Sequence, residues 1–393
     1  MKRLAILISL FVCSQALSQR LSLSNRSQIS ILTFGPDQNE IFNAFGHSAI
    51  RVVDSAQGID YFYNYGVFTF DDNFYLNFAR GHNYYKLGVY SYPANRDAYI
   101  ADNRFIHEQV LGLTQEQKQK IFRYLMWNAQ PENQTYLYDY FYNNCSTKIR
   151  DVFADLFKDE IQFDGSFIKT TYTIRQLEDR YLDFQPWGDL GINIGLGLPI
   201  DKKATPYEYM YLPDYLESSF DHAYFRVDGI SVPLVKKKII IYSSKPEKIE
   251  RSIFNPWNVF GFILAVTILI TVRDGMQKKN SGWLDFIFLL TTGVLGIVLL
   301  LLWFATDHHA CAKNFNLLWA LPTNLVACVW VFSQKKPKWL TSYFGFIAVL
   351  NFVVLITWAL LPQQLNVFLI PLICALTLRY FMNWRLGKRS AMN

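Results

Sequence analysis

One cysteine of this chain stands where a thiol can react. Asn143-Asn144-Cys145-Ser146-Thr147 runs into Ile149, Val152, Phe153, Leu156 and Phe157, apolar residues at three- and four-residue steps. That spacing marks one face of a helix. Asn is a favoured N-cap, so Cys145 falls on the first turn. Unpaired amides and the helix dipole there favour a thiolate, and the same amides can hold an oxyanion. A nucleophilic thiol needs a base. The segment 19–255 offers His47, His82, His107 and His222. His47 is the strongest candidate, because it follows Phe45-Gly46 and opens Ser48-Ala49-Ile50-Arg51-Val52-Val53, a strand-like run. His82 reads as a loop residue, His107 as half-buried in a strand and His222 as surface. A third group must orient the imidazole. Asp60 and Asn64, in the next strand-like run, both qualify, and spacing does not choose between them.

These groups need elements to hold them. The His47 run and the run 60–66 pair as neighbouring strands. Two more strands are expected around residues 84–92 and 105–111. A helix follows from Thr114, where Thr114 and Gln117 form a capping box, to about residue 128. The Cys145 helix comes next, so the order is His strand first and Cys helix later. Gly191-Ile192-Asn193-Ile194-Gly195-Leu196-Gly197 resembles a phosphate loop only superficially. It lacks a strand–helix–strand context and reads as a glycine-rich turn.

The whole chain has 393 residues, 51% hydrophobic and 18% charged. Soluble domains carry roughly 25% charged residues, so the balance leans toward membrane, and disorder is excluded. The net charge of +6 does not indicate nucleic acid, because the basic residues flank apolar segments. Residues 1–18 have Lys2 and Arg3, an apolar run and Ala16-Leu17-Ser18, the form of a cleaved secretory signal. Residues 19–255 are polar and aromatic-rich and read as one outer domain. Residues 256–393 hold apolar segments at 257–272, 283–304, 317–332, 340–361 and 365–381. Crossing a bilayer takes about 20 such residues, so five spans are expected, the first, third and fifth being short. Arg273, Lys278 and Lys279, then Lys335, Lys336 and Lys338, then Arg379, Arg385, Lys388 and Arg389 mark the inner side. The large domain and the loop 305–316 therefore face outward. Lys236–Lys238, Lys245, Lys248 and Arg251 oppose this, as a long translocated domain tolerates. Cys13 lies in the leader, Cys328 and Cys374 lie in apolar spans, and Cys311 lies in the outward loop 305–316. Cys145 is thus the only cysteine of the mature outer domain.

A His strand before a Cys helix reverses the papain order. It resembles the circularly permuted papain-like group, related to NlpC/P60 domains, that includes lecithin:retinol acyltransferase-like proteins. Phe45-Gly46-His47-Ser48-Ala49-Ile50-Arg51-Val52, Tyr63-Asn64-Tyr65-Gly66 and Asn144-Cys145-Ser146-Thr147-Lys148-Ile149-Arg150-Asp151 are similar to motifs of the Lnb family of bacterial lipoprotein N-acyltransferases. So are Tyr209-Met210-Tyr211-Leu212-Pro213-Asp214-Tyr215-Leu216, Thr306-Asp307-His308, Asn314-Phe315-Asn316-Leu317-Leu318-Trp319 and Pro322. The resemblance spans nearly the whole chain. It implies an α+β papain-like outer domain followed by a five-helix transmembrane bundle in the bacterial inner membrane. It also implies a reaction: Cys145 takes an acyl chain from a phospholipid as a thioester and passes it to the α-amine of a lipoprotein, with no cofactor. Asn144, Asp307, His308, Asn314 and Asn316 are the expected substrate-binding residues, the four in the loop 306–316 reading equally well as a hydrogen-bonded cap between two spans. Two adjacent His and an Asp invite a metal reading, but neighbouring side chains diverge and no further His lies nearby, so none is expected. The competing functions are a membrane-anchored thiol hydrolase of the same fold, acting on phospholipid or cell-wall peptide, and a non-catalytic binding module.

Overall fold

Short runs of β-branched and aromatic residues build the outer domain. In this computed structural model, residues 22–38, 40–68, 71–246 and 252–392 are described. The expected leader lies outside them, as do Lys248 and Arg251. Strands β1 (Gln28–Phe34), β2 (His47–Asp54), β3 (Ile59–Val67), β4 (Tyr84–Ser91), β5 (Ile106–Leu111) and β6 (Thr135–Leu137) alternate with helices Phe74–Arg80, Tyr92–Ala101 and Gln115–Asn128. The helix Cys145–Phe157 follows, then β7 (Ile161–Gln162), helices Ile174–Asp179, Pro186–Gly195 and Pro213–His222, and strands β8 (Tyr224–Val227), β9 (Ile230–Pro233) and β10 (Val235–Tyr242). Seven strands form one sheet in the order β10-β5-β1-β2-β3-β4-β6, every pair antiparallel. The remaining three form a small second sheet, β7-β8-β9.

Both faces of the large sheet are covered, and the two-residue side-chain period sorts its core. Ile29, Ile31, Ile50, Val52 and Tyr63 pack with Phe122 and Leu125 of helix Gln115–Asn128 and with Ile149 and Phe153 of the Cys145 helix. On the opposite face Leu32, Phe34, Ala49, Phe62 and Ile106 pack with Tyr92. The segment read as a glycine-rich turn instead continues a helix through Gly195. Leu196 and Gly197 lie beyond it, and at Gly197 a Cβ would stand 1.9 Å from the Ala312 carbonyl oxygen.

The C-terminal region is helical. Pro256–Gln277, Gly282–Phe304 and Lys338–Ile356 are long and apolar enough to cross a membrane. A fourth long helix, Leu369–Met392, packs against the first and third of these. The apolar segment 317–332 is not one continuous helix. It forms a 3-10 turn, Phe315–Leu318, and a six-residue helix, Asn324–Val329. Pro322 between them supplies no amide donor. The short helix is tied to its neighbours by a side chain: Asn324 donates to Thr292 at 2.8 Å and accepts from Tyr343 at 2.6 Å. Arg379, counted above with the inner-side loop charges, is fully buried among the helices and bridges Asp274 and Asp285.

Candidate active site

The β2–β3 register sets Ile50 opposite Tyr63 and Val53 opposite Asp60. His47 and Asn64 therefore share a face of the sheet near one end, a diagonal step apart. Asp60 lies on the same face six residues further along, roughly 20 Å at the rise of a strand. Local geometry brings His47 to the strand's head. Gly46 has φ +77, and a Cβ there would come within 2.7 Å of the Phe34 carbonyl oxygen, so only glycine fits without strain.

His47 donates from Nε2 to Asn64 Oδ1 at 2.7 Å. That leaves Nδ1 as its basic nitrogen. Asp60 is engaged elsewhere: its carboxylate accepts from Arg51 at 2.8 and 2.9 Å. Of the two orienting groups that spacing left open, Asn64 is the one bonded to His47.

Cys145 is the first residue of its helix. Asn144 caps it, its Oδ1 accepting from the Ser146 and Thr147 amides at 2.9 Å each, while Thr147 Oγ1 accepts from the Asn144 amide. The Cys145 amide, at the first helical position, has no acceptor within the helix. Burial pushes the Cys145 thiol up, but the His47 charge and hydrogen bonds from His47, the Ser48 amide and Ser146 outweigh it, holding the thiol at about 7. Cys311 makes the contrast: burial without such partners pushes its thiol up to about 11.

A cavity of about 250 Å3 opens on this group, lined by His47, Asn64, Cys145, Tyr85, Tyr138 and Arg104 among others. Arg104 and the two tyrosines carried no signal in the sequence, since they come from separate elements. Arg104 donates to the Gly35 carbonyl at 2.7 Å and lies 4.7 Å over the Tyr99 ring.

The expected substrate-binding residues divide. Asn144 lines the cavity, but its side chain is fully engaged in holding the fold: besides the cap, Nδ2 donates to the Tyr140 and Tyr211 carbonyls. Asn314 and Asn316 are buried away from Cys145. They donate to the Ile194 and Gly195 carbonyls and to the Asn193 carbonyl, clamping the domain onto the membrane half. Asp307 pairs with His82 at 2.9 Å, and His308 Nε2 donates to the Phe78 carbonyl at 2.8 Å. His82, read as a plain loop residue, thus ties domain to membrane loop. No cluster of three metal-ligating side chains occurs among the described residues.

The fold and site define a class: a sheet-rich domain of mixed helices and strands carrying a Cys–His–Asn group, set on a bundle of membrane-spanning helices. The Lnb N-terminal periplasmic domain model matches residues 23–180, and the Lnb transmembrane domain model matches residues 248–390. The chain belongs to the Lnb family. No curated protein and no solved structure matches it.

Proposed function

We propose that this protein is a lipoprotein N-acyltransferase of the bacterial inner membrane, its outer domain a circularly permuted papain-like fold. One observation carries the reading: a thiol held near neutrality by a histidine that is itself oriented by Asn64, on a domain fixed to membrane spans. The Cys145 thiolate attacks the ester carbonyl of a phospholipid. The acyl C–O bond breaks, His47 gives its proton to the leaving glyceryl oxygen, and a lysophospholipid departs. The Cys145 amide faces the developing oxyanion. The neutral α-amine of a diacylglyceryl-cysteine then attacks the thioester. Its proton passes to His47, the C–S bond breaks, and an amide forms as the thiolate is restored. The membrane presents both lipid substrates at high effective concentration.

Mass spectrometry of lipoprotein N-termini tests this. Cells relying on the wild-type protein should carry N-acylated lipoproteins. Cells relying on Cys145→Ser or His47→Ala should lose roughly 10³-fold of the transfer rate and accumulate the free-amine form. Intact triacylated lipoprotein with either variant overturns the reading. Release of free fatty acid with no amide product would instead assign a hydrolase.

A further inference from the structure

The helix Phe74–Arg80 has no buried residue. Tyr75 is 77% exposed, Leu76 49% and Phe78 54%. An apolar patch of this kind on a short surface helix marks a contact with another phase or partner. Its position identifies which. The Asp307 amide donates to the Arg80 carbonyl at 2.8 Å, and His308 donates to the Phe78 carbonyl. At Gly81, with φ +82, a Cβ would lie 3.0 Å from the Asp307 backbone. Asp307 comes three residues after the end of the span Gly282–Phe304, which carries the stacked pair Trp303 and Phe304. Tryptophan and its neighbours at a span's end mark the membrane–water boundary. These contacts set the exposed residues of Phe74–Arg80 beside the loop that leaves that span.

A second observation links this helix to the catalytic cavity. Tyr138 in the cavity wall stacks on Tyr85 with centroids 4.3 Å apart. Tyr85 meets Phe68 at 5.1 Å, Phe68 meets Phe74 at 5.7 Å, and Phe74 meets Phe78 at 6.4 Å. Phe78 meets His308 at 6.2 Å. The rings make an unbroken apolar ridge from the Cys145 cavity to the loop at the end of the second span.

We propose that helix Phe74–Arg80 lies in the outer-leaflet interface, and that the ridge from Phe78 through Phe74 and Phe68 guides a phospholipid acyl chain from the bilayer to Cys145. This rests on the acyl-transfer reading for its substrate, though not for its membrane contact. A phospholipid must bring its ester out of the leaflet to the thiol while the chain stays covered. Aromatic rings cover a chain along its length without asking for one chain length. Arg80, exposed at the helix's end, suits the anionic headgroup region.

The full-length protein carrying Cys145→Ser and Leu76→Cys, with the free Cys311, Cys328 and Cys374 changed to Ala, labelled with bimane and placed in phosphatidylglycerol–phosphatidylcholine nanodiscs, tests the contact. Lipids brominated near the top of the acyl chain should quench this label ~2-fold or more beyond the same label at Ser55→Cys, in the β2–β3 hairpin at the opposite end of the sheet from His47. Equal quenching at both positions overturns the proposal. In the otherwise wild-type protein, Phe74→Ala with Phe78→Ala should slow thioester formation from bilayer phospholipid roughly 10-fold, while iodoacetamide alkylates Cys145 at the wild-type rate. Unchanged acylation by bilayer phospholipid overturns the guiding route. Failure of the wild-type protein to form any thioester would count against acyl transfer itself, and with it the ridge as an acyl route; the quenching result would still decide the contact.

Discussion

At the scale of the residue, the thiol and the imidazole must be argued together. Cys145 is half-buried at the wall of its cavity, and burial alone raises a thiol. Its thiolate is favoured because His47, the Ser48 amide and Ser146 lie beside it. The sign of the pH dependence follows. The reactive thiolate is lost as pH falls through about 7. In His47→Ala the stabilising charge and bond go while burial stays, so the titration moves up, past the ordinary thiol value. Iodoacetamide alkylation between pH 5.5 and 9.5 measures this, and an unshifted profile in the variant would separate the two groups. Asn64→Ala removes the acceptor at His47 Nε2 and should slow acyl transfer roughly 10²-fold, whereas Asp60→Asn should leave the rate near wild type and act only through the Arg51 pair. Cys145 and His47 were legible from local pattern, a cap before an amphipathic run and a glycine before a strand. Asn64 was not separable from Asp60, because residues 60, 62 and 64 share one face and only the pairing register says which reaches His47.

At the scale of the element, the start of the Cys145 helix is built by Asn144. Its side chain makes both cap bonds and ties the turn to the carbonyls of Tyr140 and Tyr211, all within a buried setting. Asn144→Ala exposes two amides to a site with no substitute and strands two carbonyls. A cost of about 1–3 kcal/mol is expected, read as a lower midpoint of thermal unfolding in detergent. Asn144→Asp keeps the capping oxygen but cannot donate to the Tyr140 and Tyr211 carbonyls, so it should recover only the share of stability that the cap contributes, and its negative charge beside the thiol pushes the titration upward. Strand and helix runs were readable from their periods. The helix Phe74–Arg80 was not, since its apolar face meets no core and so shows no amphipathic contrast. The broken course of segment 317–332 was foreshadowed only by Pro322. Its polar partners, Thr292 and Tyr343, sit on other helices, and no local pattern reports them.

At the scale of the whole molecule, two sets of contacts fix the domain relative to the bundle and the bundle to itself. Near the domain, Asn314, Asn316 and Gln363 bond backbone of the segment 193–196, and the Gly197 amide donates to the Ala310 carbonyl at 2.8 Å. At the far end, Arg379 bonds Asp285 at 2.5 Å and Asp274 at 2.8 Å, joining three long helices. That the loop 305–316 faces the domain was readable from its charge pattern. That its asparagines are clamps was not, because a clamp and a recognition site ask for the same residue types. The Arg379 network makes the last prediction. Buried ion pairs contribute little net stability when both sides are replaced, but leaving one side alone is costly. Arg379→Met should strand two buried carboxylates and lose about 3–5 kcal/mol, seen as early unfolding and aggregation on heating in detergent. Adding Asp274→Asn and Asp285→Asn should restore much of it, and the rescued triple variant should acylate at close to the wild-type rate, since the network lies far from Cys145. If the triple variant is stable but inactive, the far end of the bundle is coupled to the site, and the spans act as more than a platform.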